Sequence, residues 1–433
     1  MSNKPLKVWL IQHGEPLPLA PTGSVFRTAR LAKELAGRGH DVTYWCSSLY
    51  HHKKTLYCEE TTVMEADGYR LHVLHAGSYT SNHSLGRWQH HRRMARLFAQ
   101  DAATKEKPDI IVAGLPVHYC AFEAVRFGKQ HGIPVVVDIR DAWPDLFLMV
   151  FPRGLRWLGR MMFARDFAVA RTAMAEATTL VSMMTQLLDW GLERYAGRPR
   201  AGDDRVYLIG GDDVSVPSSD PATLFPQLAG RVKGRLVVNY IGSFSYLNHP
   251  MVLVEAAKAV KAMGHDDDVL FVLAGMGDFH ARCVEAARGL NNVVFPGWID
   301  NAGIAALNSM SDLGVIPSFE EFSFPNKAFS YLGGGLPIMS SEHGDLSALL
   351  EKYRAGYHFE MSDPAGLAQQ IVALSKLDSE EYGKLKANAR SLFHDHLRAD
   401  VIYRQFADYV QEMAHKHGNG RAGGARDTSR ERG

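Results

Sequence analysis

PSFEEFSFPNKAFSYLGGGLPIMSS, residues 317–341, contains a complete loop–helix–turn–strand passage, and DLGVI just before it is an apolar strand that ends at Pro317. Ser318 to Ser323 form a polar loop carrying Glu320 and Glu321. Pro325 suits the first helical position, where a missing N–H costs nothing. Ala328, Phe329 and Leu332 recur at helical spacing, Gly335 stops the helix, and Leu336 to Met339 starts the next strand. A helix that opens beside the C-terminal edge of a strand points its first N–H groups and the positive end of its dipole at the solvent, which suits a phosphate. Lys327, in the first turn, adds a full charge. By itself the passage also reads as an ordinary crossover with a solvated loop.

The same alternation extends in both directions. Upstream, strands are read at Leu236–Ile241, Val269–Leu273 and Val293–Phe295, with helices at Met251–Met263, Phe279–Arg288 and Ile304–Met310 between them. An earlier series has strands at Lys7–Gln12, Asp41–Cys46, Val63–Ala76 (a pair), Asp109–Ala113, Pro134–Ile139, Ala177–Ser182 and Arg205–Ile209. Its helices begin after Gly23-Ser24 and run over Leu85–Lys107 and Tyr119–His131. Two series of this kind predict an α/β protein of two Rossmann-like, doubly wound domains facing a central cleft. The expected boundaries are 1–213 for the first domain, 214–234 for a linker rich in proline and serine, and 235–397 for the second domain. A helix over 398–416 is expected to pack back on the first domain, followed by a disordered glycine- and arginine-rich tail at 417–433. The first strand–helix turn lacks G-x-G-x-x-G, so a dinucleotide fingerprint is absent.

Composition excludes several classes. A net charge of +1 over 433 residues supplies no field for a polyanion, and no nucleic-acid motif appears. The four cysteines are scattered without a C-x-x-C pair, which argues against a disulfide framework or zinc site and fits a reducing compartment. The apolar run Val8–Ile11 is too short for a signal peptide, and no stretch approaches the ~18–20 apolar residues of a membrane span. His51-His52, His90-His91 and His394-x-His396 lack a third ligand at standard spacing and read as solvated, so no metal site is expected. Asp266–Asp268 read as a solvated loop.

Two further stretches stand out. DIRDAWPD places Asp138, Arg140, Asp141 and Asp145 at the C-terminal edge of a strand, where open α/β sheets bind ligands; the competing reading is a set of charges capping the next helix. Leu146 to Arg171 interleaves five arginines and Trp157 with large apolar residues. That composition fits either a helix at a bilayer surface or buried core with a salt-bridged outer face.

Taken in order, seven pieces carry a resemblance: Gly23-Ser24 leading to RGHDVT (38–43), RDAWP (140–144), YLIGGDD (207–213), YIGSF (240–244), VLAGMGD (272–278), VVFPGWI (293–299) and FPNKAFSYLGGGLPIMSS (324–341). Across residues 5–415 the chain resembles the GT-B-fold retaining glycosyltransferases of the group-1/family-4 type, nearest to bacterial O-antigen and capsule amino-sugar transferases. The resemblance implies transfer of a sugar from a UDP- or GDP-sugar to a saccharide or lipid-linked acceptor in surface-polysaccharide synthesis, without cofactor or metal. It implies a cytoplasmic enzyme peripheral to the inner face of the membrane. On this reading Asp138, Arg140, Asp141 and Lys327 are catalytic. Gly23, Ser24, Gly242, Ser243, Gly275, Trp298, Ile299, Glu321, Phe324, Pro325, Asn326 and Ser330 bind the donor. The chain departs from the family twice. The Arg and Lys usual after the first strand of the second domain are replaced by Ser243, Asn248 and His249, and the second glutamate of the family's pair is Ser330. A nucleotide-sugar epimerase and a non-catalytic sugar-nucleotide binder are the alternatives on the same architecture.

Overall fold

A computed structural model describes residues 4–19, 26–81, 84–213, 220–319 and 323–418. The chain forms two compact units. Residues up to Ile209 and those from Tyr403 on make the first, and Gly210–Ile402 the second, so the division falls inside the last helix.

The strands of the first unit are β1 (Lys7–Ile11), β2 (Asp41–Ser47), β3 (Leu49–Tyr50), β4 (Thr55–Leu56), β5 (Thr62–Ala66), β6 (Tyr69–Leu74), β7 (Ile110–Leu115), β8 (Val135–Ile139), β9 (Thr179–Ser182) and β10 (Arg205–Val206). Its helices are α1 (Arg27–Gly37), α2 (Leu85–Ala102), α3 (His118–His131), α4 (Arg156–Met162), α5 (Ala164–Ala175) and α6 (Thr185–Gly191). Eight strands form one sheet in the order β10-β9-β8-β7-β1-β2-β6-β5, parallel except for the β5–β6 edge pair. Unbroken apolar strands such as IIVAGL are buried along their whole length, as a sheet covered on both faces requires. Trp9 lies at the centre of one face, 5.1 Å from Trp45 and 5.4 Å from Phe127 between ring centroids. The helix expected to reach Lys107 stops at Ala102, because the Thr104 hydroxyl and backbone N–H both bond the Asp101 carbonyl and close the last turn.

The second unit contains β11 (Leu236–Ile241), β12 (Val269–Ala274), β13 (Val293–Gly297), β14 (Leu313–Ile316), β15 (Ile338–Ser340) and β16 (Gly356–His358), in the all-parallel order β13-β12-β11-β14-β15-β16. Its helices are α7 (Pro221–Leu224), α8 (Met251–Ala262), α9 (His280–Ala286), α10 (Asn301–Ser309), α11 (Asn326–Gly333), α12 (Asp345–Tyr353), α13 (Pro364–Ser375) and α14 (Ser379–Leu392). The closing helix α15 spans Ala399–Gly418. Within the first unit, its Tyr409 hydroxyl meets Thr179 at 2.6 Å and Phe406 stacks on Tyr207. The tail beyond residue 418 and the start of the linker, 214–219, lie outside the described residues. Later in that stretch Phe225 and Leu228 are buried against Val237, Leu270 and Val272, which anchors the otherwise mostly exposed residues 220–234 to the second unit.

Strand order identifies the ligand edge of each sheet. The winding reverses between β1 and β7 in the first unit and between β11 and β14 in the second. At such a switch point the helices leave on opposite faces and open a crevice at the strands' C-terminal ends.

Candidate functional site

In the second unit, Gly242 and Ser243 leave the end of β11 at the switch point, and α11 begins just beyond β14. Pro325 precedes the helix, with extended backbone, and is not its first residue; Asn326 and Lys327 open the turn. Tyr331 fixes α11 in place. Its hydroxyl accepts from the Ile241 N–H at 2.8 Å, and its ring fills the space left by Gly314, where a Cβ would come within 2.4 Å. Lys327 is thereby carried to the end of β11. Its Nζ donates to Asn248 Oδ1 at 3.0 Å and lies 4.9 Å from the centre of the Tyr240 ring. A Cβ on Gly242 would stand 2.9 Å from that amine, so glycine keeps the approach open. Asn248 also donates to the Ser243 hydroxyl at 3.0 Å, and Tyr240 donates to the Ser243 carbonyl at 2.7 Å. Asn248 thus holds the Lys327 amine in position.

The other residues of this half divide into two groups. Gly275, with φ +135°, lets its backbone cross that of Gly242; a Cβ there would fall 1.8 Å from the Gly242 carbonyl oxygen. Phe324 is buried and stacked on Phe329, so its ring serves packing. Trp298, 73% exposed, presents its ring to solvent after β13, and Ile299 packs half-buried beside it. Ser330 accepts from Asn308 Nδ2 at 2.7 Å, and Asn308 in turn accepts from the fully buried Asn239 at 2.9 Å. Glu321, Gly23 and Ser24 lie outside the described residues.

In the first unit, the DIRD stretch brings charges together from distant parts of the chain. Asp138, on β8, has no exposed surface. Arg27, the first residue of α1, grips both its oxygens at 2.9 and 3.1 Å, and Arg140 Nε donates to Oδ2 at 2.8 Å. Arg140 also pairs with Glu15 and donates to the Thr28 hydroxyl at 2.9 Å. Glu15 accepts from the Thr28 backbone N–H, so a carboxylate already sits at the α1 N-terminus. Burial pushes the Asp138 carboxyl up, but the two guanidinium groups outweigh it and hold it below the ordinary carboxylate range. An acid held on both oxygens and sealed from water positions Arg140. Asp141, half-buried, accepts from the Ala142 N–H at 2.9 Å and is raised chiefly by burial.

His90 and His91 are buried, contrary to the solvated reading. They share the inner face of α2 with Met94, Ala95 and Phe98, a helical spacing visible in HHRRMARLF. His90 Nε2 meets His13 Nε2 at 3.0 Å, and His91 stacks obliquely on Trp143 at 5.5 Å. All three imidazoles are shifted down, chiefly by burial, His90 to about 4. They lie at the C-terminal end of β1, beside Gln12. The side chain of Gln12 fills the space over Gly114, where a Cβ would meet it at 1.9 Å. Buried Gln12 Oε1 and His91 Nε2 have no hydrogen-bond partner among the described residues. His394 and His396 are exposed. Among the described residues one trio, His343, His358 and Glu360, brings potential metal-ligand atoms within 4.8 Å, on a partly exposed surface.

Two family models match the chain. "Glycosyl transferases group 1" covers residues 235–376, and "Glycosyl transferase 4-like domain" covers residues 22–200. The chain carries a group 1 glycosyltransferase domain and a glycosyl transferase 4-like domain. Its relatives include the phosphatidyl-myo-inositol mannosyltransferase of Mycobacterium leprae, 26% identical over 51% of the chain and 61% of the relative. WcaL of Escherichia coli, described as a colanic acid biosynthesis glycosyltransferase, is 24% identical over 37% of the chain and 41% of its own length. The chain thus spans less than two thirds of either curated relative. Among solved structures, Anabaena HepE in complex with UDP superposes with a TM-score of 0.64 at 18% identity, covering 94% of this chain and all of that one. At that identity the likeness concerns the GT-B fold.

Proposed function

We propose that the protein transfers a sugar from a nucleotide-sugar donor, a UDP- or GDP-sugar, to a saccharide acceptor, with retention at the anomeric carbon. The observation that carries this reading is the Lys327 amine, held by Asn248 over the Tyr240 ring at the switch point of the second sheet. When the glycosidic bond breaks, its electron pair leaves with the β-phosphate oxygen. A cation and first-turn N–H groups already aimed at that oxygen stabilise the developing charge without reorganisation. Gly242 leaves room for the phosphate, and the exposed ring of Trp298 offers a flat wall to the base. The binding of UDP by a structural neighbour supports a uridine donor.

For the acceptor, the reading assigns the imidazole-lined end of the first sheet. Neutral His13 and His91 with Gln12 offer hydroxyl-binding groups. The names of the curated relatives, one for phosphatidyl-myo-inositol and one for colanic acid, favour a lipid-linked or polysaccharide acceptor. Calorimetry with UDP and GDP sugars tests the donor. NMR of the product anomer tests retention, and isomerisation of the donor without any acceptor would show an epimerase instead.

A further inference from the structure

The segment from Leu146 to Arg165 carries four arginines and no acidic residue. Leu148 is buried within it, and Phe147 packs on Phe163 with centroids 5.1 Å apart. Leu146 packs on the core and Phe151 lies against Gly159, whereas seven other large apolar side chains point outward. Met149, Val150 and Leu155, with four more on α4, are each 41–69% exposed. A third of the large apolar side chains exposed among the described residues therefore crowd into residues 149–162. An apolar surface so concentrated marks an interaction site.

The orientation of α4 shows how this surface is built. Gly159 is its one buried residue, and a Cβ there would come within 2.9 Å of Leu148 and 3.0 Å of Phe151, so this line of the helix faces inward. At about 100° per residue, Trp157 and Met161 lie about 160° from it on either side and form the outer crest. Leu158 and Met162 make one flank of that crest, and Arg156 and Arg160 the other. Arg153, Arg156, Arg160 and Arg165 are exposed and have no ion-pair partner among the described residues. Arg194, close by in the same unit, is paired with Asp145.

We propose that this face docks the protein onto an anionic phospholipid bilayer. Trp157 and Met161 enter the headgroup region, and the flanking arginines bind lipid phosphates. A folded protein partner would hold such guanidinium groups by acids in fixed places. A lipid surface supplies diffuse negative charge and a fluid apolar layer, which suits unpaired arginines beside flexible methionine side chains. An apolar crest together with a basic cluster also meets the need for two signals in stable attachment. The inference rests on the surface alone and holds whatever sugar is moved.

The test is co-sedimentation of the full chain with vesicles of phosphatidylcholine and phosphatidylglycerol in equal parts, against phosphatidylcholine alone. Wild type pellets with the anionic vesicles at low ionic strength and is released by salt. Each arginine near an anionic surface contributes about fivefold to partitioning, so Arg153→Glu, Arg156→Glu and Arg160→Glu together lower it by about a hundredfold or more. Trp157→Ala with Met161→Ala lowers it by about tenfold or more with the arginines intact. All five positions are exposed, so unchanged melting temperatures verify the fold of both variants. Three results overturn the proposal: wild type staying in the supernatant, equal pelleting with neutral vesicles, or a solution dimer that Trp157→Ala dissociates. Donor calorimetry on the same samples reads the transfer proposal separately.

Discussion

Replacing Arg27 with methionine removes one of the two cations that hold Asp138. The stem volume is kept, but the bidentate contact is lost, and so are the hydrogen bonds to the Tyr207 and Leu208 carbonyls. Arg27, Asp138, Arg140 and Glu15 form a chain of alternating charge with no net excess. Without Arg27 the chain carries one surplus negative charge at a position with no solvent contact. Breaking a buried pair in this way costs about 3–5 kcal/mol, and an orphaned carbonyl adds about 1 kcal/mol or more. At about 2–4 °C per kcal/mol for a unit of this size, the melting temperature of the first unit falls by about 10–20 °C. Adding Asp138→Asn restores neutrality, because Arg140 still pairs with Glu15. The double variant recovers about 2–3 kcal/mol of coupling energy. Calorimetric melts of wild type, both single variants and the double variant complete the cycle. A single-variant loss below about 1 kcal/mol, or a double variant no more stable than Arg27→Met, would refute the view that this ion chain is balanced and dry. The folded pKa of Asp138 lies below its unfolded value. Its contribution to stability is therefore complete above the ordinary carboxylate range and is lost only as pH falls through the lower, folded value.

Three further outcomes are expected. Lys327→Ala lowers transfer by about 100-fold or more, as removal of a transition-state charge partner does, and leaves the melting temperature nearly unchanged; steady-state kinetics within threefold of wild type would remove the amine from the site. Gly275→Ala destabilises the second unit by about 3 kcal/mol or more in urea titrations, because the added carbon collides with the Gly242 carbonyl at a φ of +135°. His90 falls from the ordinary 6.5 to about 4, so the folded protein binds fewer protons than the unfolded chain between those values. The stability that His90 contributes is complete above that window and declines as pH drops through it, by about 2 kcal/mol near pH 5; His90→Gln makes the urea midpoint less steep against pH, with His13 and His91 still contributing in the same direction.

Much of the molecule is legible in its sequence, for a local reason. Strand and helix periods, and the glycines and prolines that interrupt them, act over a few residues, so two αβ series and their doubly wound class follow from residue patterns alone. The passage at 317–341 likewise shows a lysine in the first turn of a helix beside a strand end. Helix α12, strand β16 and helix α13 are not picked out by that reading: β16 is only three residues long and mostly exposed, and the helical spacing of Leu346 and Leu350 in α12 and of Leu367, Ile371 and Leu374 in α13, the latter behind an Asp363 cap, goes unused.

What only the tertiary structure decides is which groups meet across the chain. Arg27 and Asp138 are 111 residues apart, Asn248 and Lys327 are 79 apart, and His13 and His90 are 77 apart. No periodicity encodes such distances. They follow from the order in which strands enter a sheet. Burial is decided at the same level. The histidines of α2 turn inward because their helix face also carries Met94 and Phe98, while Trp157 and Met161 turn outward because Gly159 fits against Leu148 and Phe151. In each case a side chain's surroundings depend on the packing of its whole element, and the physical reason is that desolvation and ion pairing are properties of a place in the fold, not of a residue type.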